Sequence, residues 1–496
     1  MNLKSFSIKS LIDSRLNPIL VKELRQGMRS KMYTILFLAI QVVMIFYVVF
    51  GMAMSLGAGN NQEMDILFWV ITGGFLLFIL PLMGANALSG ENRESRLDLL
   101  VLTRLSSRRI VYGKWLAVVV QGILLMTALL PYLVLRYYIG SVEFLQSLGI
   151  LAVLVMISAI ITGIAVSISV IKNPILRWVI LGIGLFFGVS NLFSYINFRY
   201  SASINWFELY PVWIISGLLL VILALEFGAA RFSPMAENHD TPKRLVLLFM
   251  CILLVVVESL HLDSDLPAAF ALFSLLIVTW DGLCRPVLRY PSIYEPFVRF
   301  GLIGRIVGRF LYPGWWSGLI FSLIVFSGLW FGLFYLSGNI IKTDDILLFI
   351  LLIGAFTFPF AILLYTPLSH RRFGRVMMLV QICLVLFVQL LMLLDDTKDW
   401  NSVWLVSWVP TCALFQFAFD GIESGDYPVY IVITGFATAL SFVFILIKAL
   451  REETVIREME RQAMKNRKVR GAVKHGQPKP PYLPPSDKEA SVAFEA

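Results

Sequence analysis

Charge is what this sequence has least of. Lys, Arg, Asp and Glu make up 15% of its 496 residues, where a soluble chain carries about 25%. Hydrophobic residues make up 58%, and the mean hydropathy is +0.81. That balance excludes an ordinary soluble globular domain. It also means that the net charge of +9 is to be weighed loop by loop against a membrane, not taken as a nucleic-acid signal.

Cysteine is scarce as well. Cys251, Cys284, Cys383 and Cys412 form no C-x-x-C, and three of them fall in or beside apolar runs. Neither a disulfide framework nor a thiolate metal site is implied. The histidines, His239, His261, His370 and His475, are scattered over loops and the tail and form no catalytic or zinc-binding cluster. No G-x-x-x-x-G-K followed by Ser or Thr occurs, which excludes nucleotide binding through a P-loop on this chain.

Ionisable residues are nearly absent inside the apolar runs. Glu226, Glu258, Asp281 and Lys448 all lie near run ends. A charge at the bilayer centre costs about 2.5–3.5 kcal/mol on insertion scales, and charges that persist there usually serve ion or proton coupling. Their absence argues against an ion-coupled secondary transporter and against a buried acid–base enzyme. A membrane-embedded enzyme acting on lipid-linked glycan or acyl groups is the other alternative. It would need carboxylates, His or Arg clustered at an interface, and the acids of "HLDSD" and "DDTKDW" are dispersed. The deep polar residues are the uncharged Gln41, Gln121, Asn191, Gln381 and Gln389, which interhelical hydrogen bonding accounts for better than substrate contact.

What the sequence has in abundance is long apolar runs. Twelve spans are predicted, at 32–56, 66–88, 115–135, 145–171, 176–196, 209–229, 245–260, 267–283, 315–339, 346–366, 376–394 and 428–449. Most reach the length of about 20 residues needed to cross. Those at 245–260 and 267–283 are short enough to form one re-entrant pair. The first run begins only at 32, after a polar leader too long for a signal peptide, so it reads as an uncleaved span. "GLFFG" (184–188) and "GLWFG" (328–332) space small residues one turn apart, a weak signal for close helix approach.

Basic residues fix the orientation. If the N-terminus, the even-to-odd loops and the C-terminus share one side, only Arg136, Arg199, Lys342 and Lys398 of the 41 Lys and Arg fall on the other. The crowded side is the cytoplasmic one. The expected fold is therefore an all-α polytopic membrane protein of about twelve transmembrane helices with both termini cytoplasmic. The outer segment 395–427, with Trp400, Trp404 and Trp408, is expected at the outer headgroups.

Two cytoplasmic stretches carry an apolar stripe. In "NPILVKELRQGMRSK", Asn17 suits an N-cap and Pro18 the first helical position. Leu20, Val21, Leu24 and Met28 follow at helical spacing while Lys22, Arg25 and Arg29 face elsewhere, giving a basic amphipathic helix suited to the headgroup plane. Between the second and third spans runs "SGENRESRLDLLVLTRLSSRRIVYGKW". Leu97, Leu100, Val101 and Leu105 make an apolar face, with Arg93, Glu94, Arg96 and Asp98 around it. Ser106 or Ser107 can cap the helix that follows. That face needs lipid or another protein as its partner.

Both stretches resemble one family. "NPILVKELRQGMRS" is similar to the N-P-x-x-x-K-E-L-R-x-x-x-R opening of permease subunits of ATP-binding-cassette exporters of the second permease type. "GENRESRLDLLVLTRLSSRRIVYGKW" resembles their segment between spans two and three, and "RFSPMAENHDTPKRL" is similar to members of the same group. The resemblance covers residues 15 to about 245 well and 403–451 more loosely. It implies that Asn17, Pro18, Lys22, Glu23, Arg25 and Arg29 belong to a connecting helix at the membrane surface. It also implies that Glu91, Arg93, Glu94, Leu97, Asp98, Leu99, Leu100, Thr103 and Leu105 form a coupling helix touching an ATPase. Gly113 and Lys114 match the motif's closing G-K. Ser95, Arg96 and Arg104 depart from the usual Gly-Thr and Pro.

The further implications concern partners. ATP and Mg would be held by a separate cassette ATPase, expected as a dimer, with no cofactor and no catalysis on this chain. Membrane lipids are expected partners, a second permease chain or a self-dimer is a further one, and nucleic acid is not. The expected location is the bacterial inner membrane. Family permeases often have six spans, so twelve allow a division into a connecting helix (1–31), a first half (32–244, with coupling segment 89–114), a degenerate second half (245–449) and a basic tail (450–496). Each half would start and end inside, as in parallel repeats. In one register 284–314 takes the place of the coupling segment. In another, matching "DILFW" with "DILLF", 291–312 becomes a second connecting helix, and both registers stay open. The tail is read as a solvated helix with an i,i+4 pair, Glu453–Arg457, and then an extended Pro-rich end whose basic residues are drawn to anionic lipid.

Overall fold

The computed structural model describes residues 18–56, 61–88, 106–140, 144–171, 177–178, 182, 206–233, 237–260, 265–337, 342–366, 370–395, 409–419 and 427–474. Every regular element among them is helical, and the chain is an all-α multi-pass membrane protein. Eight of the described stretches are long and apolar enough to cross a bilayer: Lys31–Ala53, Ile66–Ala85, Ser107–Tyr138, Ser147–Ile168, Val212–Arg231, Trp315–Leu336, Asp345–Leu364 and Val429–Arg467. Each falls on an expected span. The runs expected at 267–283 and 376–394 meet shorter apolar stretches, Pro267–Leu283 and Phe373–Leu384. The run at 245–260 lies on a 20-residue helix, and most of 176–196 lies outside the described residues.

The packing divides the chain into two compact units. One comprises Met1–Pro234 and Pro242–Leu276, and the other Met235–Thr241 and Ile277–Ala496. The short stretch at 245–260 therefore groups with the first unit.

In the first unit, α1 (Pro18–Met28) leads into α2 (Lys31–Leu56) through Ser30. Ser30 Oγ accepts the Tyr33 N–H at 3.2 Å, the bond expected of an N-cap serine, and donates to the Gly27 carbonyl at 2.7 Å. α3 (Asn61–Gly74) passes through a π-helical turn, Phe75–Ile79, into α4 (Leu80–Ala85). Pro81 has no N–H to give to the carbonyl four residues back, and the helix widens just before it. Ser158 Oγ donates to the Leu76 carbonyl in that turn at 2.5 Å. Ser158 belongs to α6 (Phe144–Ile168), which follows α5 (Ser107–Gly140), and α7 (Trp206–Phe232), α8 (Asp240–Ser259) from Pro242 onward and the start of α9 (Asp265–Leu283) complete the unit.

Its core is a contiguous cluster including Met44, Phe68, Leu76, Leu129 and Leu151. Lipid is as apolar as these side chains, so close packing and interhelical hydrogen bonds hold the helices together rather than water exclusion. Gln41 behaves as the sequence led us to expect. It accepts from Tyr132 Oη at 2.6 Å and donates to the Ala128 carbonyl at 3.4 Å, joining α2 to α5. Arg136, one of the few basic residues assigned to the outer side, is buried with its guanidinium 4.8 Å from the Phe68 ring and 5.2 Å from Trp69. The outward side of α2, with Ile35, Val42, Phe46 and Val49 exposed, is the apolar belt a lipid-facing helix needs.

The second unit holds the end of α9, then α10 (Pro291–Val298), α11 (Gly301–Leu311), α12 (Trp315–Ser337), α13 (Thr343–Leu364), α14 (His370–Asp395), α15 (Pro410–Phe419) and α16 (Tyr427–Lys474). α13 and α16 lie against each other. Ser441 donates to Thr357 Oγ1 at 3.2 Å across them, and Gln381 of α14 donates to the Ala355 carbonyl at 2.6 Å. Gly354 is where three helices meet. A methyl group there would lie 2.5 Å from Thr438 Oγ1 and 2.6 Å from Pro410.

Two expectations are corrected here. Of the outer segment 395–427, Trp400, Trp404 and Trp408 lie outside the described residues, and the described part is not a surface strip. Its α15 is packed against the middle of α13, with Thr411 donating to the Ala355 carbonyl at 3.3 Å and Cys412 and Ala413 buried. "PTCALFQFAF" is apolar, and small at the contact, so it seats among helices. Nor is the tail simply solvated. Ile456, Met459, Glu460 and Ala463 form a buried stripe against α10 and the residues around α11, while the Glu453–Arg457 pair is present at 3.1 Å. Gly328, in the second small-residue pair, has open space beside it and is not a close-approach point.

Candidate functional site

Among the residues singled out by sequence, Asn17, Glu91, Arg93, Glu94, Leu97, Asp98, Leu99, Leu100, Thr103 and Leu105 lie outside the described residues. The structure does describe the two shoulders from which the 89–105 segment springs, and α1 beside them.

α1 folds as its pattern requires. Leu20 is buried, Val21 and Leu24 are half-buried, and Lys22, Arg25 and Arg29 are exposed. Met28, at the end of the predicted stripe, is exposed. The helix rests on α5. At Gly27 an added methyl would meet the Gln121 amide at 2.0 Å, so the absence of a side chain is what lets the two come together. Val21, Lys22, Arg25, Gln26 and Arg29 line a basic groove along α1.

The inner shoulder is built around Lys114. It is buried near the start of α5, and its Nζ donates to the Ala87 carbonyl at 2.7 Å just past α4. The same Nζ stands 3.6 Å from Glu23 Oε1 of α1. One lysine thus ties together α1, the chain entering the 89–105 segment and the helix leaving it. The next residue, Leu88, is buried, and its N–H donates to Ser169 Oγ of α6's end at 3.3 Å. Ser169 Oγ itself donates to the Val166 carbonyl at 2.6 Å.

The outer shoulder is built around Glu226 of α7. Arg108 Nε lies 3.0 Å from Glu226 Oε2, and Tyr112 Oη donates to Oε1 at 3.4 Å. Trp115 Nε1 donates to the Ala159 carbonyl at 3.0 Å. Each shoulder of the charged segment therefore has a buried anchor, Lys114 or Glu226, on a packed helical base, with partners that are partly exposed.

A second polar cluster lies in the other unit. Arg309 of α11 stands 2.8 Å from Glu460 Oε1 and 2.9 Å from Glu453 Oε1, both on α16. Tyr312 Oη donates to Glu460 Oε1 at 2.9 Å, and Tyr294 Oη to the Leu288 carbonyl at 2.8 Å. Burial, then the Glu460 charge, pushes both phenols well above the ordinary tyrosine range, so both stay protonated donors. Nearby, Arg285 sits 2.9 Å from Asp240 and 3.1 Å from Asp281. Burial works to lower its pKa, but the two carboxylates outweigh burial and raise it.

Sequence reasoning undervalued Glu226 as a residue near a span end, and it missed Glu460. The signal for Glu460 was present: Ile456, Met459 and Ala463 mark an apolar face at i, i+3 and i+7 that includes position 460. Among the described residues no three His, Cys, Asp or Glu stand close enough to hold a metal ion. No family model, curated protein or solved structure matches the chain. What the fold defines is a class, an all-α multi-pass membrane protein.

Proposed function

We propose that the chain is the membrane-spanning permease subunit of an ATP-driven exporter, moved by a separate cassette ATPase through the 91–105 helix. One observation carries this reading. Glu23 and Lys114, from two motifs far apart in sequence, meet at 3.6 Å at the root of that segment. A loop that only joined two spans would have no need of buried anchors on both shoulders. A loop that receives a push does, because force is transmitted only through a base that does not yield. α1 stands against the same base, so movement of the segment is passed to the membrane surface and to α5 together.

In this reading ATP and Mg belong to the partner ATPase, and this chain contributes no catalytic residue. The bacterial inner membrane is the proposed location. The test is co-purification of the full chain with a cassette ATPase encoded in a neighbouring reading frame. Deleting 91–105 should abolish association while the protein still inserts; association that survives the deletion would remove the main support for the reading.

A further inference from the structure

We infer that α11 is a membrane-surface helix, lying in the cytoplasmic headgroup plane with Leu302, Ile303, Ile306 and Val307 turned into the lipid. The inference rests on the geometry of α11 and not on the permease reading, one of whose two open registers would also make 291–312 a connecting helix. α11 has two unlike faces. On one, Gly304 and Gly308 are buried: a methyl at 304 would lie 1.9 Å from the Phe297 carbonyl oxygen, and one at 308 would lie 2.3 Å from the Tyr312 ring. That face is closed by α10 and Tyr312. Both arginines of the helix are also turned inward, Arg309 to Glu453 and Glu460 and Arg305 to Met464.

What remains outward carries no charge. Leu302 and Ile303 are 73% and 72% exposed and Ile306 is 52% exposed, with Phe300 beside them at 72%. An apolar face of this size on a helix is either covered or a liability in water. Lipid is the occupant the surroundings favour. α11 ends at Leu311, and α12, which is long and apolar enough to cross a membrane, begins at Trp315, so the face stands beside the point where the chain enters the bilayer. The distribution of basic residues puts this loop, with Arg285, Arg289, Arg299, Arg305 and Arg309, on the cytoplasmic side. Arg305 and Arg309 are engaged with α16, while the neighbouring Arg289 and Arg299 are exposed, the basic flank that suits an anionic headgroup surface.

The test uses the full-length chain with its native cysteines replaced and a single cysteine at 303 or 306, labelled with an environment-sensitive fluorophore. The protein is reconstituted in phosphatidylethanolamine/phosphatidylglycerol vesicles with or without lipids spin-labelled high on the acyl chain. A label at 458, on the exposed side of α16, is the reference. Labels at 303 and 306 should be quenched by the lipid probe at a depth of about 5–10 Å and shielded from aqueous iodide. The label at 458 should show the opposite. Iodide quenching at 303 and 306 equal to that at 458, or shielding that appears only when a soluble partner is added, would overturn the inference. Because these positions are exposed, the label itself does not disturb the core, and a circular-dichroism check on each variant keeps misfolding from being mistaken for either result.

Discussion

Lys114 shows how one side chain can hold a junction. Its buried ammonium serves two acceptors from two different elements, the Ala87 carbonyl and the Glu23 carboxylate. The two partners are not equivalent. Ala87 is bonded at 2.7 Å, while Glu23 stands at 3.6 Å with its side chain 24% exposed. Lys114→Met therefore orphans a carbonyl and a carboxylate together, at about 1–3 kcal/mol for the unsatisfied group. Glu23→Gln, by contrast, removes a partly screened attraction of about 0–1 kcal/mol. Thermal unfolding of the purified protein in detergent should rank Lys114→Met as clearly worse than Glu23→Gln. Equal effects would mean that the lysine works mainly through the carboxylate. Both residues were legible as motif positions in the sequence. Their meeting was not, because it depends on α1 lying along α5, and that is set by Gly27 beside Gln121 rather than by any local pattern.

At the scale of elements, α16 is the clearest case of a helix doing two jobs. It crosses the membrane and then continues to Lys474, about 40 Å beyond Lys448 at 1.5 Å per residue. Lys448 marks the boundary, its Nζ bonded to the Leu364 carbonyl. A lone helix of that length in water would fray, but this one is held along its first turns by α10, α11 and Tyr312. Arg309 is the main tie. Removing one partner of a fully buried ion pair costs about 3–5 kcal/mol, and the 24% exposure of Arg309 puts its loss below that range. Arg309→Met should speed proteolytic cleavage within 451–474. Gly304→Ala should do the same without touching a charge, because its methyl meets a backbone oxygen that cannot move aside. Arg457→Ala, whose pair with Glu453 is exposed on the arginine side, should leave the cleavage rate unchanged. Cleavage that responds to Arg457 and not to Arg309 would place the tie elsewhere. The membrane-crossing part of α16 was plain from hydropathy, and its charged continuation was expected as a helix. Its docking was hidden because a helix face rich in Glu and Arg has the composition of a solvated one, and only the spacing of Ile456, Met459 and Ala463 says otherwise.

For the whole molecule, sidedness is the property on which everything else depends. Hydropathy located the spans because a helix satisfies its own backbone, so local composition alone decides whether a stretch can cross. Orientation was legible for a different reason: basic residues resist transfer across the membrane, and nearly all of them collect on one side. Two contacts within the separate units are consistent with that assignment. In the first unit, α1 meets the start of α5, and in the second, α11 meets the part of α16 beyond Lys448. Each contact joins two segments that the charge distribution puts on the same face. The position of α15 was not legible, since an apolar run of ten residues is too short to distinguish a surface helix from one packed among spans. Sidedness can be measured directly in a cysteine-free chain carrying one new cysteine at 97, 398 or 458. A membrane-impermeant maleimide applied to intact spheroplasts should label 398 and spare 97 and 458 until the membrane is opened. Labelling at 97 without permeabilisation would put the amphipathic segment outside the cell, where no ATPase could reach it. Labelling at 458 would likewise detach α11 from the leaflet assigned to it, so one experiment bears on both the proposed coupling and the proposed lipid contact.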